Sequence, residues 1–446
     1  MANSSLNRTI GTPSNADKIT ISSWVKRSAI SASNVIIGEY VDSNNRSKLQ
    51  FKSDDTLEFF QFNGGNTQAQ LRTSRLFRDT SSWYHIVFQY DSAQASSSDR
   101  MKMWVNGVQE TSFSIATYPS QDTDCRLNVS GRDVHVGEDG NNGTYFDGYL
   151  SHFVLVDNAI LAPTVFGETD STSGIWKFKS PSGITFGNNG FHLKFENAGA
   201  LGTDSSGNNH TFTVNGTLKQ SIDTPTILYA TLNQAANNNP SNSVISHGGL
   251  THTVSGQWLG ALTCFGVTSG KWYAEAKITD EQNFSIGFAT LTTGNDGFAN
   301  NMTTANSGYV GKYDDSWGFW GNGAGSYQKV HNNSTTSYGS AFSTNDIAIL
   351  AMDMDNKKLY FGKNGTFFDS SNPATQASPA FTFTTTEPMG FASGPENGAV
   401  QWNFGAGNFG NTPITSAGSN GNGSLFEYDV PSGFYALNTK NINTYG

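Results

Sequence analysis

Apolar positions recur with a period of two over much of this chain. Between Lys18 and about Val156, Ile19 and Ile21 alternate with polar residues, as do Tyr84, Ile86, Phe88 and Tyr90. That period aims one face of a pleated strand at a core and the other at solvent. In the run from Met101 to Val108, Asn106-Gly107 falls between two such stretches, and the pair supplies the positive φ angles of a two-residue hairpin turn.

A second group of strands is predicted from near Val267. It includes Lys271 to Ala276, Phe284 to Ala289, and the pair Ile347 to Met354 and Lys358 to Phe361, joined by the turn-formers Asp355-Asn356-Lys357. No long stretch carries the 3.6-residue period of an amphipathic helix. From about Thr224 to Gly256 the pattern fades around Pro225 and Asn237-Asn238-Asn239-Pro240, which reads as a domain boundary. The expected organisation is therefore a β-sandwich over 1–223, a linker over 224–256 and a second sandwich over 257–446. Thr415 to Ser424 is expected to be a surface loop. Beyond it, Phe434, Tyr435 and Leu437 are expected to dock the tail on the second sandwich, since free they would form an apolar patch.

Composition supports strands and turns: 48 Gly, 31 Phe, 16 Tyr and 9 Trp, with only 14% charged residues. The formal charge of −10 opposes attraction to phosphate backbones and anionic membranes, so neither nucleic acid nor membrane insertion is expected. Cys125 and Cys264 fall in different predicted domains and read as free thiols. The first residues lack the apolar core of a secretion signal, and no stretch has about 18 consecutive apolar residues. The expectation is a chain made in the cytoplasm without export.

The first half resembles laminin-G/concanavalin-like sandwiches through Trp83-Tyr84-His85-Ile86-Val87, Met101 to Gly107, and Phe146-Asp147-Gly148-Tyr149-Leu150 leading to Val156-Asp157. The second half resembles SPRY modules through five pieces in order: Gly270 to Glu275, Ile286 to Ala289, Ser316-Trp317-Gly318-Phe319, Asp353 to Asp355 with Leu359 to Gly365, and Val400 to Gly405. The implied fold is all-β: two tandem antiparallel sandwiches, a concanavalin-type jelly roll followed by a bent SPRY-like sandwich. Paired with Gly167 to Thr172 and Pro431 to Lys440, the modules look like virion proteins of marine tailed bacteriophages. That resemblance implies a non-enzymatic tail fibre or adhesin on the virion surface. Its expected partners are a host-surface glycan or receptor protein and other virion proteins, and it is expected to act as a homo-oligomer. A capsid or tail decoration protein is the alternative, and a polysaccharide-degrading enzyme a second.

Candidate chemistry is sparse. A glycosidase of the laminarinase type needs Glu-x-Asp-x-x-Glu on one strand; Glu168-x-Asp170 begins so, but Ser173 stands at the last position. Asp353 and Asp355 share a strand face, yet Asp355 opens a turn. Gly405-Ala-Gly-Asn-Phe-Gly410 has dinucleotide-binding spacing, but Asn411-Thr412-Pro413 follows where that motif needs a helix. The eight histidines have no metal-ligand spacing. No cofactor is expected, although Asp42 and Asp139 lie in Asn/Asp-rich turns that could offer oxygen ligands to calcium. The best binding constellation is Tyr309, Asp314, Asp315, Trp317 and Trp320, with Tyr327 beyond the loop Gly321 to Gly325. Aromatic faces there could pack on sugar rings while carboxylates bond hydroxyls.

Overall fold

A computed structural model describes residues 4–141, 143–236, 239, 241–280, 283–292, 297–322 and 327–446; of residues 235 and 322 it describes the backbone alone. The chain forms two compact units, 1–220 with 224–226, and 221–223 with 227–446. Both are built of almost wholly antiparallel sheets, and the described α-helices are one turn at Phe298–Asn301 and a short one at Thr439–Tyr445.

In the first unit an eight-stranded sheet runs in the spatial order Phe113–Thr117, Asn66–Leu76, Thr56–Asn63, Asn45–Phe51, Asn34–Asp42, Asp133–Val136, Ser5–Thr9, Thr213–Asn215. It faces a six-stranded sheet ordered Phe191–Leu193, Gly148–Asp157, Lys18–Arg27, Tyr84–Asp91, Met101–Val105, Val108–Gln109. Ile21, Val25, Ile86, Phe88 and Tyr90 meet Leu49, Phe51, Phe59 and Leu71 in the core between them. The Met101–Val105 hairpin closes through Asn106 and Gly107, whose φ angles are 50° and 77°, as a primed two-residue turn requires.

One expectation fails in an instructive way. Alternation in Tyr84–Asp91 and Lys18–Arg27 predicts one solvent face, yet the interiors of both strands are buried on both faces. The reason is a roof. Segment 159–186 lays Phe166, Leu161, Ile184 and Phe186 on Val87, Val154 and Val156, while Trp24 stacks on His85 at 4.8 Å and Trp176, nearly parallel to that imidazole, bonds its edge at 3.0 Å. Outward polar groups are therefore bonded: Thr20 Oγ1 donates to the Ala159 carbonyl at 2.7 Å and receives the Leu161 N–H at 3.0 Å.

The second unit pairs a nine-stranded sheet with a six-stranded one. Seven strands of the first follow the order Ser243–Ser246, Thr251–Val254, Gly398–Asn403, Lys271–Ile278, Ile347–Asp353, Lys358–Lys363, Thr366–Phe367; Phe381–Thr382 pairs with Lys358–Lys363 and Tyr435–Ala436 with Lys271–Ile278. The other sheet runs Ala261–Leu262, Met389–Ser393, Asn283–Thr290, Ser316–Asn322, Tyr327–His331, Ser334–Ser337. Trp272, Ile286, Phe288, Phe319, Leu350, Phe361, Phe391 and Trp402 fill the space between.

The linker expected over 224–256 is corrected by this topology. Ala230, Leu232 and Ile245 lie in the second core, and Ser243–Ser246 with Thr251–Val254 forms a hairpin paired to Gly398–Asn403. Hydrogen bonding to that strand, more than local pattern, makes these residues sheet. Asn237, Asn238 and Pro240, on which the linker reading rested, lie outside the described residues.

The C-terminal segment roofs the nine-stranded sheet. Phe426, Val430, Phe434 and Ala436 pack on Tyr273, Ile349, Ala351 and Tyr360, and Tyr435 pairs in parallel with Trp272. After the strand Gly398–Asn403 the glycine run leads into the small pairing of Asn408–Phe409 with Thr412–Pro413, with no helix at that point. Gly405 is needed for closeness: a Cβ there would sit 2.7 Å from that of Ala436.

Candidate functional site

Two candidate surfaces emerge on the second unit, because strand geometry divides the residues that the sequence groups together. Ser316–Asn322 alternates its side chains, so Trp317 and Phe319 point into the core while Gly318 and Trp320 point outward. Trp317 is only 5% exposed, stacked on His331 at 5.0 Å and tilted against Phe383 at 5.6 Å.

The outer face at Trp320 is partly covered by segment 297–313. Ser285 fixes that cover: its hydroxyl accepts the Val310 N–H at 2.8 Å and donates to the Gly394 carbonyl at 2.7 Å. Tyr309 is thereby set on Trp320, ring centroids 5.9 Å apart and 25° from parallel. Trp258 stands edge-on to both, at 5.6 Å from Tyr309 and 5.4 Å from Trp320. All three rings are half-buried. Around them, Lys312 Nζ lies 5.5 Å from the Tyr309 ring, and the Tyr309 hydroxyl donates to Asn333 Oδ1. The Trp320 indole N–H is buried beneath this face and has no partner among the described residues. Trp258 is the member that the sequence reading missed.

Asp314, Asp315 and Trp317 instead line a cleft of about 540 Å³ with His331, Phe383 and Glu387. Asp315 has a structural task there: both its carboxylate oxygens accept the Phe298 N–H, at 2.9 and 3.0 Å, which caps the turn Phe298–Asn301. Burial raises its pKa above the usual carboxylate value, against the pull of that N–H. Replacing Asp315 by Ala is expected to cost about 1–2 kcal/mol, the usual loss of a cap, read as a lower melting temperature of the second unit. Tyr327 joins neither surface. It sits opposite Gly321, on the core side of its sheet. Gly323, Ala324 and Gly325 lie outside the described residues.

The two proposed calcium ligands are engaged in turns. Asp42 accepts the Asn44 N–H at 2.7 Å and the Asn45 amide at 3.0 Å, bonds that hold its pKa low. Asp139 takes the Lys48 ammonium at 2.9 Å and the N–H groups of Asn141 and Gly143 at 3.2 Å. Burial pushes Asp139 up, but these donors prevail and leave it below its ordinary value. Among the described residues no cluster of three or more His, Cys, Asp or Glu could hold a metal ion.

The remaining carboxylates behave alike. Asp170 accepts N–H groups of Thr172 and Ser173 and the Lys177 ammonium. Asp353 bonds Asn356 and Lys271, and Asp355 accepts the Gly270 N–H at 2.7 Å. Cys125 and Cys264 are free, and burial pushes the Cys125 thiol up to about 12.

Buried serine–histidine contacts at His85 and His252 escaped the sequence reading. Ser22 Oγ lies 2.9 Å from His85 Nε2, but Trp176 Nε1 donates to His85 Nδ1 at 3.0 Å. Indole is a donor only, so the neutral ring carries its proton on Nε2 and donates to Ser22. That is the wrong tautomer to take the serine proton. His252, fully buried, joins Ser243 at 3.0 Å to Ser393 of the facing sheet at 3.2 Å. Both histidines brace the fold.

Both units are β-sandwiches, and comparison places them by family. The model of the concanavalin A-like lectin/glucanases superfamily matches residues 4–166, and that of the SPRY domain matches residues 271–403. The chain therefore carries a concanavalin-like domain and a SPRY domain in tandem. A Dictyostelium discoideum protein named probable ATP-dependent RNA helicase ddx1 is 29% identical over 153 residues, which are 34% of this chain and 17% of that protein. Among solved structures, the SPRY domain of human HERC1 aligns at 17% identity over 36% of this chain and 91% of its own, with a TM-score of 0.27. The TRIM65 PSpry domain aligns at 14% identity over 39% of this chain and 92% of its own, with a TM-score of 0.30. Stonustoxin does so at 14% identity over 39% and 28%, also with a TM-score of 0.30.

Proposed function

We propose that this chain is a non-enzymatic recognition protein that holds a host-surface glycan on the Trp258–Tyr309–Trp320 platform. The observation that carries the reading is that platform: three touching, half-exposed rings with a cation and an amide beside them. Rings pack on the C–H faces of a pyranose, and the polar groups at the edge meet its hydroxyls. The non-enzymatic part is supported by Asp42, Asp139, Asp170, Asp353 and Asp355, which are spent on hydrogen bonds and ion pairs within the fold, and by His85, held in a tautomer that cannot take the Ser22 proton.

The phage-like pairing of modules and junctions points to a virion surface, with several copies raising the avidity of weak single sites. A glycan array probed with fluorescent full-length protein tests the site. Trp320→Ala or Trp258→Ala is expected to weaken the bound glycan about tenfold, the worth of one aromatic contact, without shifting the melting temperature of the first unit. Array binding unchanged in both variants would sink the site. Quantitative mass spectrometry of purified particles tests the setting: low, tail-symmetric copy numbers favour a fibre, copies in the dozens or more a decoration protein, and absence from particles removes the virion reading.

A further inference from the structure

The first unit presents a face of different chemistry. Along Asn45–Phe51 and its extension to Lys52, Leu49 and Phe51 point into the core, so Arg46, Lys48, Gln50 and Lys52 point away from it. Phe60 lies opposite Lys48 and Phe62 opposite Arg46 on the next strand, and Tyr40 lies opposite Arg46 on the other side. Arg46, Lys48, Gln50, Lys52, Tyr40 and Phe60, with Asn141, Thr144 and Ser33, line a cleft of about 370 Å³ whose lining holds three cations and no carboxylate. On a chain of net charge −10, that balance is local and unusual.

The cations are set in place. Arg46 lies over the Phe60 and Phe62 rings at 5.7 and 5.2 Å, gives one N–H to the Ser43 carbonyl, and pairs with no carboxylate among the described residues. Lys52 reaches Glu58 only at 3.9 Å. Glu58 is already engaged by Gln50 at 2.9 Å, Gln70 at 2.7 Å and Arg72 at 3.0 Å. Lys48 is neutralised by Asp139 at 2.9 Å. Positions 46 and 52 are about 20 Å apart along an extended strand, with 48 and 50 between them at steps of about 7 Å. A single small anion would meet one cation; a chain with charges along its length meets the row. The amides of Gln50 and Asn141, the hydroxyls of Ser33, Thr144 and Tyr40, and the Phe60 ring add partners suited to sugar hydroxyls and C–H faces.

We propose that this face binds an extended acidic polysaccharide, through carboxylate or sulfate groups paired with Arg46 and Lys52 while the neutral side chains hold the sugar. The site is independent of the aromatic platform. The full-length chain is titrated with fluorescently labelled alginate, dextran sulfate, neutral dextran and single-stranded DNA. Alginate or dextran sulfate is expected to bind, the stronger of the two telling carboxylate from sulfate, and binding is expected to weaken as sodium chloride is raised. An Arg46→Ala/Lys52→Ala chain is expected to bind about tenfold more weakly, whereas Lys177→Ala, which removes an exposed cation outside the cleft, leaves this binding intact. Should the double variant lose its folding transition, Lys52→Gln, at a side chain 30% exposed, carries the same test with a smaller loss. Retention of affinity in a folded variant, equal binding of neutral dextran, or DNA binding as tight as either polysaccharide would each overturn the proposal.

Discussion

Replacing Glu275 by Leu is expected to destabilise the second unit by about 3–5 kcal/mol, the loss seen when the acceptor of a buried polar network is removed. Glu275 is fully buried, on the outward face of Lys271–Ile278. Its carboxylate accepts the N–H groups of Glu427 and Tyr428 at 2.8 and 2.9 Å, the Tyr273 hydroxyl at 3.2 Å and the Asn403 amide at 3.3 Å. One side chain thus ties the C-terminal roof to two strands. In Glu275→Leu those two backbone donors are left without an acceptor, and the apolar contacts of Phe426 lose their anchor. Urea unfolding measures the loss, and limited proteolysis across 415–437 reads its location. Glu275→Gln keeps an acceptor oxygen and should lose less than half as much. If both variants unfold together with the wild type, the carboxylate is not the clasp.

How much of this was legible beforehand follows from what each segment rests on. Strands such as Tyr84–Asp91 and Asn283–Thr290 advertise themselves because their apolar positions repeat locally. So does the Asn106-Gly107 turn, whose chemistry lies in two adjacent residues. The roofs do not. Phe166, Trp176, Ile184 and Phe186 are spaced without period among Gly, Pro and Ser, and the faces that they cover become apparent only when distant strands are assembled. For that reason His85 and Ser22, at outward positions, looked solvated while being buried. The hairpin of Ser243–Ser246 and Thr251–Val254 was lost for a similar cause: its hydrogen bonds go to Gly398–Asn403, far along the chain.

The site divides the same way. Tyr309 and Trp320 were recognisable as an aromatic pair near turns, and they meet. A period of two already separates Trp317 from Trp320, three positions on, so their grouping on one surface could have been rejected from the strand alone. Trp258 could not have been added, since it stands isolated in Gln257-Trp258-Leu259 and reaches the platform only because segment 297–313 folds back over the sheet. Asp315 looked like a ligand-binding carboxylate because no sequence signal marks a cap lying 17 residues after the N–H that it receives.

Acid is expected to separate the two units. In the first, burial lowers His85 to about 3 and His152 and His192 to about 4, and His152 and His192 face each other at 3.3 Å, so charging both would add repulsion. A histidine with a depressed folded pKa contributes stability that is present above its unfolded value near 6.5 and is lost as pH falls toward the folded value. Each can therefore remove at most about 1.4 kcal/mol per pH unit in that window. Glu39 and Asp147, raised by burial, act in the opposite sense and temper the slope. In the second unit His252, lowered to about 3, meets a strong opponent. Glu275 is raised by burial to about 7, so its contribution is full below the unfolded carboxylate value near 4.5 and is lost as pH rises through 7. Between pH 7 and 5 the two largely cancel. Calorimetry over that range is expected to show the first unit's transition moving down by several degrees while the second moves little. His85→Gln should flatten the first response, and Glu275→Gln should make the second unit more acid-sensitive. Parallel movement of both transitions, or an unchanged slope in His85→Gln, would mean that burial of these rings is not what sets the acid response.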